Sequence, residues 1–143
     1  MTANRDNHAR ALHVTLAAPR DEVFAFMADI ENLPRWAGQF CAQLEISRHG
    51  WRAWTSFGDL FVELEANQRA GVIDLRFGSE WEPLADVPLR VWARPDGRTL
   101  VGGWLVPAAG QTDESFSRQG DEFVLALQSL AARWRTPAQR LCA

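Results

Sequence analysis

Along most of this chain apolar residues alternate with polar ones. Twice, near the start and at the end, the spacing changes to three or four. In Ala11–Ala17, Leu12, Val14 and Leu16 fall on one side, which predicts a strand. Pro19 suits the first helical position, with Asp21 and Glu22 in a first turn whose dipole favours anions. Val23, Phe24, Phe26, Met27 and Ile30 form a helical apolar stripe, and Pro34 sets a break near Asn32. From Phe40 the period is two. Candidate strands cover 40–48, 51–57, 60–68, 71–77, 87–95 and 98–106, with turn signals at His49-Gly50, Gly58-Asp59, Arg69-Ala70-Gly71 and Asp96-Gly97. Short Gly-containing links between alternating runs are hairpin signals, so the pattern predicts an antiparallel meander.

Directly opposed residues share a face of a sheet, which makes the register testable. A two-residue turn at Gly58-Asp59 pairs Phe57 with Leu60, Thr55 with Val62 and Ala53 with Leu64, and on the other side Trp54 with Glu63 and Arg52 with Glu65. Crossing Arg69-Ala70 then sets Leu64 opposite Leu75, Ala66 opposite Ile73 and Glu63 opposite Arg76. A turn at Asp96-Gly97 pairs Ala93 with Leu100, Val91 with Gly102 and Leu89 with Trp104. Three hairpins thus agree on one apolar and one charged face.

The last element opens at Thr112, a good N-cap, with Asp113 and Glu114 behind it. Phe116, Gly120, Phe123, Leu127, Leu130 and Trp134 recur at helical spacing. They predict a helix of about 22 residues, about 33 Å long, enough to cross a whole sheet. Its stripe needs a partner, and the apolar sheet face is the one available.

Composition bounds what such an arrangement does. At 143 residues the chain is read as one domain, 1–143, with its core at 11–134 and flexible ends at 1–10 and 136–143. The net charge of −3 argues against nucleic acid, which calls for a basic face. Every basic side chain except histidine is Arg, which removes Schiff-base and lysine-nucleophile chemistry. The seven Trp and absence of Tyr imply an interior with few hydroxyls. Cys41 and Cys142 lack framework spacing and read as free thiols in a reducing cytoplasm. The polar MTANRDNHAR start is no signal peptide. No apolar run reaches the ~18–20 residues of a membrane span, so no stable insertion is expected.

Candidate chemistry is sparse. His8, His13 and His49 lack zinc-ligand spacing, so neither a metal nor another cofactor is expected. There is no phosphate loop, dinucleotide fingerprint or nucleophile elbow. The register puts Arg52, Glu63, Glu65, Asp74, Arg76 and Arg90 on the solvated face as cross-strand ion pairs. The apolar face carries one clear polar residue, Thr55. That is poor material for acid–base work and good material for holding an apolar ligand with one orienting hydrogen bond. No catalytic residue is assigned.

The segments VTLAAPRDEVFAFMADIENLPRW, GVIDLRF and TDESF, within a span from Ala11 to Trp134, resemble the START/Bet v 1-like (SRPBCC) superfamily, and within it the polyketide cyclase/dehydrase-like branch. The resemblance implies an α+β helix-grip fold: a curved seven-stranded antiparallel sheet wrapped around the long C-terminal helix, two short helices after the first strand, and a cavity between sheet and helix. Its mouth is then ringed by the loops at 57–60, 78–86 and 107–111, with GSEWEPLAD as a candidate lid. On the register above, Leu44, Thr55, Val62, Leu64, Leu75 and Phe77 become pocket wall. So do Val91, Gly102 and Trp104, with Phe123 and Leu127 from the helix. Phe57, Leu60 and Trp81 stand at the mouth. Trp36 either stacks on a ligand or plugs the core.

The first reading is therefore a cytoplasmic binding or transport protein for a small hydrophobic or aromatic, lipid- or polyketide-like molecule. Apolar burial drives affinity at ~25 cal/mol per Å² before the costs of association. A cyclase or dehydrase using the same cavity is the alternative, and a protein-interaction module the third. Trp54 and Trp92 on the charged face offer a surface for an oligomer.

Overall fold

The computed structural model describes residues 9–81 and 83–135. Of the expected loose ends 1–10 and 136–143, residues 1–8, with His8, and all of 136–143, with Cys142, lie outside the described residues. Seven strands make one antiparallel sheet: β1 (Arg10–Leu16), β2 (Cys41–Ser47), β3 (Gly50–Thr55), β4 (Gly58–Asn67), β5 (Val72–Gly78), β6 (Pro83–Ala93) and β7 (Thr99–Leu105). Their order is β1-β7-β6-β5-β4-β3-β2, so the meander is closed at one side by the first strand lying on the last. Helix α1 (Arg20–Ala28), a 3₁₀ turn (Ile30–Asn32) and helix α2 (Leu33–Trp36) connect β1 to β2, and α3 (Asp113–Arg133) ends the fold. This is the α+β helix-grip architecture, with the curved sheet around α3.

Local chemistry sets the element ends. Pro19 caps α1 one residue ahead of its first turn, with extended backbone at ψ 150°. The Asp29 carboxylate accepts from Glu31 N–H and starts the 3₁₀ turn, and Pro34 restarts the chain as α2. Thr112 accepts from Ser115 N–H at 3.1 Å, capping α3. Along α3, Gly120, Phe123, Ala126, Leu127 and Leu130 are buried against the sheet.

Register follows loop length. The β4–β5 pairing sets Leu64 opposite Leu75 and Glu63 opposite Arg76, as the alternation required. The β3–β4 turn is Ser56-Phe57, not Gly58-Asp59, so Ala53 faces Leu60 and Trp51 faces Val62. That slip is an even number of residues and leaves every side chain on its expected face. It gives Arg52 the partner Asp59, 3.0 Å away, in place of Glu65. The β6–β7 loop differs in kind. Arg94 N–H bonds Arg98 O and Gly97 N–H bonds Arg94 O, enclosing three residues with Gly97 at φ +85°. The extra residue flips β7: Val91 faces Val101, and Leu89 faces Gly103. Thr99, Val101, Gly103 and Leu105 therefore point to α3, while Gly102 and Trp104 lie on the outer face.

Strand β6 begins at Pro83, so residues 83–86 of the expected 78–86 loop are strand. Arg10 belongs to β1 and not to a loose end. Its guanidinium reaches across to α3, where any side chain at Gly120 would collide with it. On the outer face Arg76 pairs with Glu65 at 2.9 Å and Arg90 with Asp74 at 2.9 Å, the expected surface ion pairs.

Candidate functional site

The two ends of the grip are built differently. At the end covered by α1, Thr99 donates to Ala18 O at 2.7 Å, and Trp134 Nε1 donates to Glu22 at 3.1 Å. Val23, Phe24 and Met27 fill the interior there. Among the described residues the far end has no such plug. A cavity of about 190 Å³ remains between α2, the first half of α3 and the ends of β4 to β7.

Its walls come from recognisable patterns. Leu33, Trp36, Ala37 and Phe40 all line it. Their spacing puts them on one side of the α2 turn and its continuation. The sheet contributes Leu60, Leu75, Phe77, Val87 and Leu105, and the helix contributes Phe123 and Ala126. Phe40 and Phe77 meet edge to face, with ring centroids 4.9 Å apart. Leu84 and Val106, both exposed, form the rim with Phe57, Ala108 and three polar side chains: Gln111, Gln119 and Glu122.

Those polar groups are tied to each other and to the rim. Gln111 donates to Gln119 Oε1 at 3.1 Å while its own Oε1 accepts from Ala108 N–H at 2.9 Å. Ser56 Oγ donates to Glu122 Oε2 at 2.7 Å. Beside it the Arg118 guanidinium lies 4.3 Å from the Phe57 ring centroid. Together they hold the β3–β4 turn against α3 across the cavity mouth. Deeper in, Trp36 is only 3% exposed, and its indole N–H has no hydrogen-bond partner among the described residues.

Of the residues singled out in the sequence, Trp36, Leu75, Phe77 and Phe123 line the cavity, with Phe57 and Leu60 near its opening. Val62, Val91 and Leu127 are buried in packed core, and Leu44 and Leu64 pack beside that core. Thr55 is spent on its own turn: it donates to Gly58 O at 2.7 Å and accepts from Phe57 N–H at 3.1 Å. Gly102 sits beneath Trp92 on the outer face, and Trp104 is 37% exposed there. Trp81 projects into solvent, 89% exposed, outside the lining. Ile46 is 64% exposed on the edge strand β2.

The lining residues that sequence reasoning missed, Leu33, Ala37, Phe40, Gln119, Glu122 and Ala126 among them, carried a signal. With Trp36 and Phe123, which it named, they form two sets at i, i+3, i+4 and i+7: Leu33, Trp36, Ala37 and Phe40, and Gln119, Glu122, Phe123 and Ala126. The second set reads as an apolar stripe only if its two polar members are allowed at the stripe's edge.

Among the described residues no group of three or more His, Cys, Asp or Glu is placed to hold a metal ion. None of the described helices is long and apolar enough to cross a membrane. Cys41 is fully buried, and desolvation lifts its thiol pKa from 9.0 to about 11, partly offset by a backbone hydrogen bond with Gln43.

No protein-family model matches the chain, and no curated protein matches it in sequence. Solved structures do match its fold. A START superfamily protein from Mycobacterium smegmatis aligns with TM-score 0.63 at 15% identity, covering 90% of this chain and 97% of that one. The Zhui aromatase/cyclase from Streptomyces sp. R1128 aligns with TM-score 0.62 at 17% identity, over 88% and 93%. The di-domain aromatase/cyclase BexL of the BE-7585A biosynthetic pathway aligns with TM-score 0.65 at 18% identity, over 87% of this chain and 45% of that one. At such identities the likeness establishes the fold alone: a helix grip shared with a START superfamily protein and with these aromatase/cyclases.

Proposed function

We propose that this protein binds a small hydrophobic or aromatic molecule inside the helix grip and, by holding it, can carry it. One observation supports this most. The cavity of about 190 Å³ is walled by aromatic and aliphatic side chains, and its polar side chains stand at the rim. Pockets of that make-up bind through apolar burial and use a few polar groups for orientation. An apolar cavity of ~150 Å³ takes up benzene, so this one accommodates one to two fused rings with the remainder in the rim. The shared fold with a START superfamily protein and with aromatase/cyclases fits that reading. A reducing cytoplasm suits Cys41 as a buried free thiol.

Native mass spectrometry of freshly purified protein, followed by solvent extraction, tests the proposal. The expected result is a discrete mass excess that leaves on unfolding and proves apolar or aromatic. A protein that carries nothing and gains no thermal stability from any hydrophobic probe sinks it.

The likeness to aromatase/cyclases favours a second reading, in which the same cavity folds a polyketide-like chain into a reactive shape. Among the described lining residues Glu122 is the one titratable side chain, and Ser56 already occupies one of its oxygens. Acid–base catalysis by a positioned pair therefore has no second member there, so binding is the preferred reading. An interaction module needs a shallow groove, and a chamber walled by buried Trp36 is a poor fit to that.

A further inference from the structure

The polar side chains at the cavity rim form a chain of hydrogen bonds whose direction is fixed from one end. The backbone N–H of Ala108 can only donate, so the Gln111 atom 2.9 Å from it is the carbonyl Oε1. Gln111 Nε2 then donates to Ser115 Oγ at 3.3 Å and to Gln119 at 3.1 Å. The Gln119 atom facing it is therefore Oε1, and Gln119 Nε2 keeps both of its hydrogens. On the next turn Ser56 gives its one hydroxyl hydrogen to Glu122 Oε2 at 2.7 Å. Glu122 Oε1 accepts from no donor among the described residues. Both side chains are half-buried, yet neither free atom is sealed off. Among the described residues the one buried side-chain nitrogen or oxygen without a partner is the Trp36 nitrogen. Gln119 and Glu122 share a face of α3 with Phe123 and Ala126, and all four line the cavity. Side chains three apart on a helix are neighbours, so one ligand group can meet both free atoms.

We infer that Gln119 and Glu122 select the ligand's polar end: an uncharged hydroxyl, phenolic or alcoholic, on the apolar body that fills the cavity. This rests on the cavity being the binding site. A hydroxyl accepts from the amide and donates to the carboxylate at once. A ketone uses only the amide. A carboxylate also uses the amide, but it stands beside Glu122, which has no ion-pair partner among the described residues. Arg118, one turn earlier on α3, is stacked on Phe57 and is not part of the lining. The rim therefore favours a hydroxylated ring over the bare hydrocarbon and over the acid.

The matched probes are naphthalene, 2-naphthol and 2-naphthoate: one bicyclic frame with no polar end, with a neutral hydroxyl, and with an anion at neutral pH. Their affinities are measured by equilibrium dialysis on the wild type, on Glu122→Gln, which removes the charge, and on Gln119→Leu, which removes the donor. The wild type should bind 2-naphthol about tenfold tighter than naphthalene, although water solvates the hydroxyl better. Glu122→Gln should raise the naphthoate-to-naphthalene affinity ratio about tenfold. Gln119→Leu should lower the naphthol-to-naphthalene ratio about fivefold. If 2-naphthol binds the wild type no tighter than naphthalene, or if either ratio is unmoved by its variant, the inference is overturned and the binding proposal stands. If none of the three binds the wild type, the binding proposal falls and the inference with it. Should one variant not fold, the other decides. Should neither fold, the wild-type order of 2-naphthol and naphthalene decides.

Discussion

Ser56 Oγ and Glu122 Oε2 are 2.7 Å apart, and that bond ties the β3–β4 turn to the middle of α3. With Arg118 stacked on Phe57, it spans the opening of the cavity. Both partners are partly solvated, so the bond contributes on the order of 1 kcal/mol. Ser56→Ala should therefore leave the unfolding midpoint nearly unchanged and raise the dissociation rate of a bound hydrophobic probe about fivefold, as read by stopped-flow displacement. An unaltered rate would show that the ligand leaves by another route.

Ala126 sits on α3 between the packed core and the cavity, 4% exposed. Ala126→Leu projects three more carbons into space that is already open. We expect stability to change by less than about 1.5 kcal/mol, since overpacking is relieved by the void. Probe binding should drop at least tenfold. Equal affinity in the variant would place the ligand somewhere else.

Two adjacent glycines test the register of β7. A Cβ on Gly103 would stand 2.6 Å from Phe123 Cζ and 2.9 Å from Leu89 Cδ2. A Cβ on Gly102 would stand an ordinary 3.5 Å from Trp92 on the outer face. Gly103→Ala should thus cost about 1–2 kcal/mol in urea unfolding and push Phe123 into the cavity, weakening binding. Gly102→Ala should stay within ~0.5 kcal/mol and bind normally. The reverse ranking would restore the register first read from the sequence.

Cys41 predicts a pH dependence. Burial raises its folded-state pKa from 9.0 to about 11, so the unfolded chain releases the thiol proton first. The associated stability is fully present below pH 9 and is lost as pH rises from there toward 11. Urea unfolding at about pH 8 and about pH 10 should show a larger loss in the wild type than in Cys41→Ala. Equal losses would mean that the thiol is not desolvated. In the folded protein at neutral pH, Cys41 should also react with a thiol reagent only as fast as the structure opens.

How far the sequence could be read turns on parity. Alternation located all seven strands, and the β4–β5 register followed because Leu64, Ala66, Ile73 and Leu75 admit one pairing that buries them together. Gly58 misled about the turn, since its φ of +106° serves the residue just after the loop and not the loop's centre. The error spanned an even number of residues and cost nothing in facing. At Asp96-Gly97 the sequence cannot distinguish a two-residue loop from a three-residue one by composition. That single residue decided whether Gly102 and Trp104 or Gly103 and Leu105 met α3. The cavity was misplaced for a different reason. Mid-sheet residues such as Val62 and Val91 were taken as pocket wall, yet both are buried in the packed core. The open space is at the end that α1 does not reach, where Phe40 and Trp36 supply the wall. Which end of a sheet a short helix fills is a matter of packing, and local periodicity carries no record of it.

The pairing of β1 with β7 has a consequence for how the molecule is made. Arg10 faces Leu105 across that ladder, and Arg10 also fills the notch at Gly120. The first of these seven strands to leave a ribosome thus gains its sheet neighbour only when the last of them has followed. For most of synthesis the chain carries an exposed ladder edge and an open apolar trough, a state that invites association with other chains. The cavity takes walls from β4 to β7, α2 and α3, so it too is complete only after α3 has followed the sheet.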